Sequence, residues 1–339
     1  RGPCLPHSLN FPAPLEGGVA PPPSPCGDQG TARALELFCG SAKVTAALTD
    51  AGFDACGVDY KGNRHTPVGR TVVLDLTLKA DTSTLWNLLR HPQLEFVHMG
   101  APCGTASLAR GIRLPLRYRG KWPEPKPLRS SAAPLGGEDM SAKDAIRVAK
   151  ANQLYDLSAA VARFCIEKGI PWTMENPANS LHWQIPGIVS LLDAHADISD
   201  IIFENCMHGG ERRKKTRLRA WPAKAFASLS VLCDGSHTHP PWKRGPAFST
   251  SLECEYPQLL CDRLAACAAA AAKLPPLPSA ERPPSLDPTG EPASKVRKTK
   301  LASERAAAGR QSAISNRPSA ASTAAPRSRA SKLQRLWPP

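Results

Sequence analysis

Short apolar runs alternate with stretches of helical spacing through the middle of the chain. Ala34-Leu-Glu-Leu-Phe38 predicts a buried strand, and Lys43 to Asp50 predicts the helix that follows. Ala55 to Val58 reads as a second strand that ends at Asp59. Thr71 to Leu74 reads as a third that ends at Asp75. Asp81 to Arg90 has helical spacing, with Asp81 or Thr82 as its cap. Phe96-Val-His-Met99 is a fourth strand. Ala142 to Lys168 is a long helix with Ala, Leu and Val at intervals of three and four. Pro171-Trp-Thr-Met174 gives a fifth strand ending at Glu175, and Ile198 to Phe203 and Thr216 to Trp221 give a sixth and a seventh. Strands alternating with helices predict an α/β, doubly wound, mostly parallel sheet of Rossmann-like type. Such sheets bind ligands at the carboxyl ends of their strands. Asp59, Asp75, Cys103 and Glu175 all fall at those ends.

The flanks read differently. Residues 1–30 are rich in Pro and Gly and lack any period, and residues 275–339 repeat Ser, Ala, Pro and Arg. Neither segment can bury enough apolar surface to offset the entropy of ordering it, so both are expected to be disordered. The folded domain is then 31–274, with a small C-terminal subregion at 222–274. Net charge is +14, and the tail from Glu281 to Arg335 holds twelve Lys/Arg against four Asp/Glu, so +8 of it lies there. That balance favours a polyanionic partner such as nucleic acid. Within the tail, Lys295-Val-Arg-Lys-Thr-Lys300 has the composition of a nuclear-import signal. The eleven cysteines are scattered without a Cys-x-x-Cys pair, which predicts reduced thiols and an intracellular location. The longest apolar run, Leu264 to Ala272, is too short to span a bilayer.

Three loops carry candidate chemistry. Gly40 follows the first strand, where it lets the backbone approach a ligand beside a helix N-terminus. Asp59, at the end of the second strand, is placed to grip a ribose diol, and Asp75 to meet an adenine edge. Cys103 sits in Gly100-Ala-Pro-Cys-Gly104, a Pro/Gly-shaped loop after the fourth strand that can present a nucleophile. Glu175 begins Glu175-Asn-Pro177 at the end of the fifth strand and can serve as a general acid. Each feature alone also fits an ordinary strand end. Their combination on one rim is what points to a site.

In this order, Leu37-Phe-Cys-Gly40, Val58-Asp59, Asp75, Pro102-Cys103, Glu175-Asn-Pro177 and Arg217-Leu-Arg219 resemble the motifs of the cytosine-C5 DNA methyltransferase family. The resemblance spans about residues 31–221. It implies the family's Rossmann-like fold and S-adenosylmethionine as methyl donor, with cofactor contacts at Phe38, Gly40, Asp59, Asp75 and Pro102. It further implies Cys103 as nucleophile, Glu175 against N3 and the amino group of the base, and Arg217 or Arg219 against the ring or the cysteine loop. The implied partner is nucleic acid, DNA first and RNA as the alternative; a catalytically inactive nucleic-acid-binding relic is a third reading. No membrane association is expected.

The chain also departs from the family. Ala42 stands where a second glycine is usual, which predicts a methyl group crowding the cofactor. Pro177 replaces an aliphatic residue, and Lys215 stands where a Gln usually precedes the Arg-x-Arg element. Only Ala220 to Leu274 remain for target recognition. A basic insertion at about 108–140 carries Arg110, Arg113, Arg117, Arg119, Lys121, Lys126 and Arg129, and is expected to lie over the active site and contact phosphates. Arg212-Arg-Lys-Lys215 is a second basic patch, expected on a hairpin between the last two strands. Cys233, His237 and His239 have zinc-like spacing, with Cys254 or Cys261 as a fourth ligand. With no paired Cys-x-x-Cys, the favoured reading is a polar loop near Trp242 and no metal.

Overall fold

A computed structural model of the chain describes residues 31–114, 116–121, 124–242 and 253–273. The chain divides into two units, Arg1–Ala280 and Glu281–Pro339, and every described residue belongs to the first. The expected disordered flanks and the basic cluster at 295–300 lie outside the described residues.

Among the described residues, seven strands form one mixed sheet: β1 (Arg33–Leu37), β2 (Asp54–Asp59), β3 (Thr71–Val73), β4 (Leu94–Met99), β5 (Trp172–Pro177), β6 (Ser199–Glu204) and β7 (Lys215–Trp221). Their order is β3-β2-β1-β4-β5-β7-β6. The first five run parallel, and β7 lies antiparallel between β5 and β6. This is the α/β, mostly parallel Rossmann-like sheet that the strand and helix pattern predicts. All five residues of β1 are buried, as expected of a central parallel strand covered on both faces.

The helices are α1 (Lys43–Asp50), α2 (Lys79–Leu89), α3 (Ala142–Lys168), α4 (Pro186–Val189) and α5 (Gln258–Ala271). On one face Val44 and Leu48 of α1 share a core with Leu260 and Leu264 of α5, together with Phe53, Phe96, Phe203 and Phe226. Fully burying each such side chain contributes roughly 1.5–3 kcal/mol. Trp86 of α2 meets Phe164 of α3 edge-on at 5.6 Å. Ser141 caps α3 by accepting from the Asp144 N–H, and Gly169 ends it in a left-handed turn at φ 71°.

The expected cap of α2 differs. Its N-cap is Leu78, and Asp81 lies inside the first turn with its carboxylate accepting from the Asp75 N–H at 2.8 Å. The acidic side chain therefore ties the helix to Asp75, in the loop just past β3. Helix α5 goes beyond the sequence expectation, which read its alanines only as a short apolar run.

Candidate active site

The loop after β1 turns through three left-handed residues, Phe38 (φ 61°), Gly40 (φ 53°) and Ala42 (φ 55°). Asp59 holds this loop: one carboxylate oxygen accepts from the Gly40 N–H at 2.7 Å and the other from the Tyr60 N–H at 2.7 Å. Each oxygen keeps a second lone pair for a hydroxyl. Burial raises the Asp59 pKa against those two bonds. Asn63 closes the loop by donating to the Gly40 carbonyl at 2.7 Å. Asp75 accepts from the N–H and hydroxyl of Thr77, which lowers its pKa. Ala42 is fully buried and takes no part in the cavity lining. The expected crowding of a cofactor at Ala42 is therefore corrected: left-handed backbone geometry, not ligand space, is what favours glycine there.

The cysteine loop is pinned from two sides. Asn176 donates to the Ala101 carbonyl at 2.8 Å, and the Tyr155 hydroxyl of α3 donates to the Pro102 carbonyl at 2.7 Å. Cys103 is left partly exposed to the cavity. Burial pushes its thiol up to about 11, opposed by the nearby charge of Lys214 and reinforced by that of Glu175. The thiol rests protonated, and Lys214 supplies the field that favours its anion.

Glu175 is 7% exposed. One oxygen accepts from the Tyr256 hydroxyl at 2.9 Å. Among the described residues the other is buried without a hydrogen-bond partner, with the Lys214 ammonium at 3.8 Å. Tyr256 reaches this position from beside α5, with its hydroxyl 3.3 Å from Nε2 of His98. Gly100 makes room for it, since a Cβ there would stand 2.8 Å from the Tyr256 hydroxyl. Burial and the Glu175 carboxylate raise the phenol pKa well above its usual range, so the hydroxyl remains a donor.

These groups share one cavity of about 1190 Å³, lined by Phe38, Gly40, Asp59, Asp75, Pro102, Cys103 and Glu175 among others. That exceeds the roughly 300–1,000 Å³ usual for one small ligand, and leaves room for a nucleoside cofactor beside a second planar group. The open hydroxyl-binding positions of Asp59, the left-handed Gly40 turn and Asp75 fit an adenosyl group. Tyr155, Asn176, Tyr256 and Lys214 are absent from the sequence-derived site. Lys214 lay within the basic patch at 212–215, and Asn176 within the Glu175-Asn-Pro177 segment.

Arg217 and Arg219 are placed elsewhere. In the β5–β7 register Arg219 faces Met174 and Arg217 faces Asn176, while Glu175 faces Leu218. Side chains alternate across a sheet, so the arginines point to the face opposite Glu175. There both pair with Asp200, at 3.1 Å for Arg217 and 2.7 Å for Arg219, and both lie 5.2 Å from the Trp183 ring centre. Neither lines the cavity. In the insertion, Leu108–Gly111 and Leu116–Tyr118 form short 3-10 turns, and Leu108, Ala109 and Ile112 line the cavity. Arg129 is withdrawn from any phosphate role. It is 4% exposed and donates to Thr105, Pro134 and Asn152.

No protein-family model matches the chain, and no curated protein does. Among solved structures, S. pombe Dnmt2 methyltransferase matches at 11% identity over 65% of this chain and 62% of its own, with a TM-score of 0.31. A mutant of Spodoptera frugiperda DNMT2 matches at 15% identity over 56% and 50%, with a TM-score of 0.28. Entamoeba histolytica methyltransferase EhMeth matches at 12% identity over 57% and 53%, with a TM-score of 0.31. The chain thus spans less than two thirds of each of these proteins.

Proposed function

We propose that this chain is an S-adenosylmethionine-dependent methyltransferase that acts on C5 of cytosine in DNA through a covalent adduct at Cys103. One observation carries the reading. Glu175 has one oxygen fixed by Tyr256 and the other buried and unmet, in the cavity that Cys103 also lines. A buried acceptor without a donor costs about 1–3 kcal/mol, and a ligand N–H edge removes that penalty. The amino group and protonated N3 of a cytosine offer such an edge.

The residues then have defined tasks. Asn176 and Tyr155 hold the loop that aims the Cys103 sulfur. Lys214 favours its thiolate, which adds to C6 of the ring and makes C5 electron-rich. The Glu175 carboxylate accepts from the amino group and from N3 as N3 takes up a proton, which offsets the charge developing there and so favours the transition state over the ground state. Asp59 holds a ribose diol and the Gly40 turn admits the rest of the nucleoside. The donor, when bound, supplies a sulfonium methyl group as electrophile. Loss of the C5 proton to water and expulsion of the Cys103 thiolate restore the ring. A base within a duplex must leave the stack to reach this cavity.

RNA is the second reading. It is favoured by the short stretch, Ala220 to Leu274, left for target recognition, because a base already unpaired needs less of it. Oligonucleotides carrying 5-fluorocytosine, with labelled S-adenosylmethionine, test both. The expected result is a labelled covalent adduct on DNA that Cys103→Ala abolishes. An adduct on RNA alone replaces DNA by RNA. Cofactor binding with no adduct on either would overturn the catalytic reading and leave a nucleic-acid-binding relic.

A further inference from the structure

A second cluster lies outside the cavity. Cys206 follows β6, and Cys233, His237 and His239 follow the 3-10 segment Ala223–Leu229. One ligand atom from each lies within 4.8 Å of all the others. The Cys233 sulfur is 3.9 Å from Nε2 of His237 and 3.7 Å from Nε2 of His239. The two imidazoles meet at 4.6 Å between ring centres, and the Cys206 thiol interacts with that of Cys233.

These distances suit one small tetrahedral ion. Zinc bonds of about 2.3 Å to sulfur and about 2.0–2.1 Å to nitrogen give ligand–ligand edges of roughly 3.3–3.8 Å. The Cys233 edges are already within a few tenths of that range, and the longest separation closes by about 1 Å of side-chain rotation. The donor set is two thiols and two imidazoles, the pairing that selects Zn2+ over the harder Mg2+ and Ca2+. With both thiols ionised the centre is neutral, so it needs no further counter-charge. Outer contacts orient the ligands. The Gly235 N–H donates to the Cys233 sulfur at 3.4 Å, and the Cys233 N–H donates to Glu204 at 2.8 Å. Glu204 in turn pairs with Arg213 at 2.8 Å, and the Arg213 charge is felt by both thiols.

We infer that Cys206, Cys233, His237 and His239 form a structural Zn2+ site. It fastens the segment that leads to Trp242, a cavity-wall residue, onto the β6–β7 hairpin that carries Lys214. The structure selects Cys206 as the fourth ligand. Of the two fourth ligands expected from sequence, Cys254 lines the active-site cavity and Cys261, on α5, lies in the core shared with α1.

The test is metal analysis of the full chain produced with zinc supplied and no chelator. The expected content is one zinc per chain, falling at least about tenfold in Cys206→Ser and in Cys233→Ser and unchanged in Cys254→Ser. Replacement by Co2+ should give the visible bands of a tetrahedral centre and a sulfur-to-metal charge-transfer band. His237→Cys should keep the metal and strengthen the charge-transfer band, which reports on the site even if the serine variants fail to fold. A wild-type chain without zinc, a Cys206–Cys233 disulfide in place of the metal, or a folded Cys206→Ser variant that keeps equimolar zinc would each overturn the assignment.

Discussion

Replacing Tyr256 by Phe removes one oxygen from the site and leaves the ring. That oxygen donates to Glu175 at 2.9 Å and fixes which carboxylate oxygen faces the cavity. A hydrogen bond from a neutral donor to a charged acceptor contributes about 1.5–3 kcal/mol. If the whole of it serves the transition state, kcat falls about 10- to 150-fold, at 1.36 kcal/mol per factor of ten. Stability falls by a similar 1–3 kcal/mol, which a domain with about 5–15 kcal/mol in hand survives. Cofactor affinity should stay within about twofold, because the hydrogen bonds that order Gly40, Asp59 and Asp75 do not involve the phenol. The assay is transfer of labelled methyl to DNA at saturating cofactor, beside calorimetric cofactor binding and a thermal melt. A folded Tyr256→Phe variant with kcat within twofold of wild type would refute the role given to Glu175. So would a loss of rate matched by an equal loss of cofactor affinity.

Two further predictions concern the scaffold. Asp200→Asn leaves Arg219, 1% exposed, and Arg217 without their counter-ion; the Asp200 side chain is itself 22% exposed and the amide oxygen is retained, so the loss is about 1–3 kcal/mol. Urea unfolding measures it, and a loss below about 0.5 kcal/mol would show that the pair is not a brace. Glu36 lies buried beneath the loop after β1, accepting from the N–H and hydroxyl of Thr45 at 2.6 and 2.5 Å, and burial lifts its pKa from 4.5 to about 8. Below pH 4.5 the folded and unfolded chains both hold its proton; above pH 8 the folded chain must bury its charge, so its contribution to stability is lost as pH rises between those values. Glu36→Gln should therefore gain on wild type by up to about 5 kcal/mol across that window, and a difference that stays flat with pH would contradict the burial argument.

The central strands β1, β2, β4 and β5 were legible because a parallel strand covered on both faces is apolar throughout and shows as a nearly unbroken run. Long α3 was legible from its spacing, and its observed limits are those the pattern predicts. The rim residues Asp59, Asp75, Cys103 and Glu175 followed from strand ends alone. The arginine pair did not. Sequence places Arg217 and Arg219 on β7 but leaves open which face they take, and that depends on the register with β5. Tyr256 was hidden for a different reason. It lies 81 residues from Glu175 and enters the site only because α5 docks on α1. The helical spacing of Leu260, Cys261, Leu264, Ala265 and Ala268 was the available signal for that docking. The metal cluster was half legible: its Cys-x-x-x-His-x-His run is contiguous, whereas Cys206 joins it across the β6–β7 hairpin.

Ala42 turns the loop that holds Gly40 while keeping φ at 55°. An L residue in that conformation costs roughly 1–2 kcal/mol relative to glycine. Its methyl group is buried outside the cavity lining, so the difference falls on the folding equilibrium and not on ligand fit. In populations, the unfolded fraction is about five- to thirtyfold larger with alanine than with glycine at this one position. A bound nucleoside then adds its RT ln(1 + [L]/Kd) to that lowered baseline, and the increment is the same with alanine as with glycine because the methyl group lies outside the cavity lining.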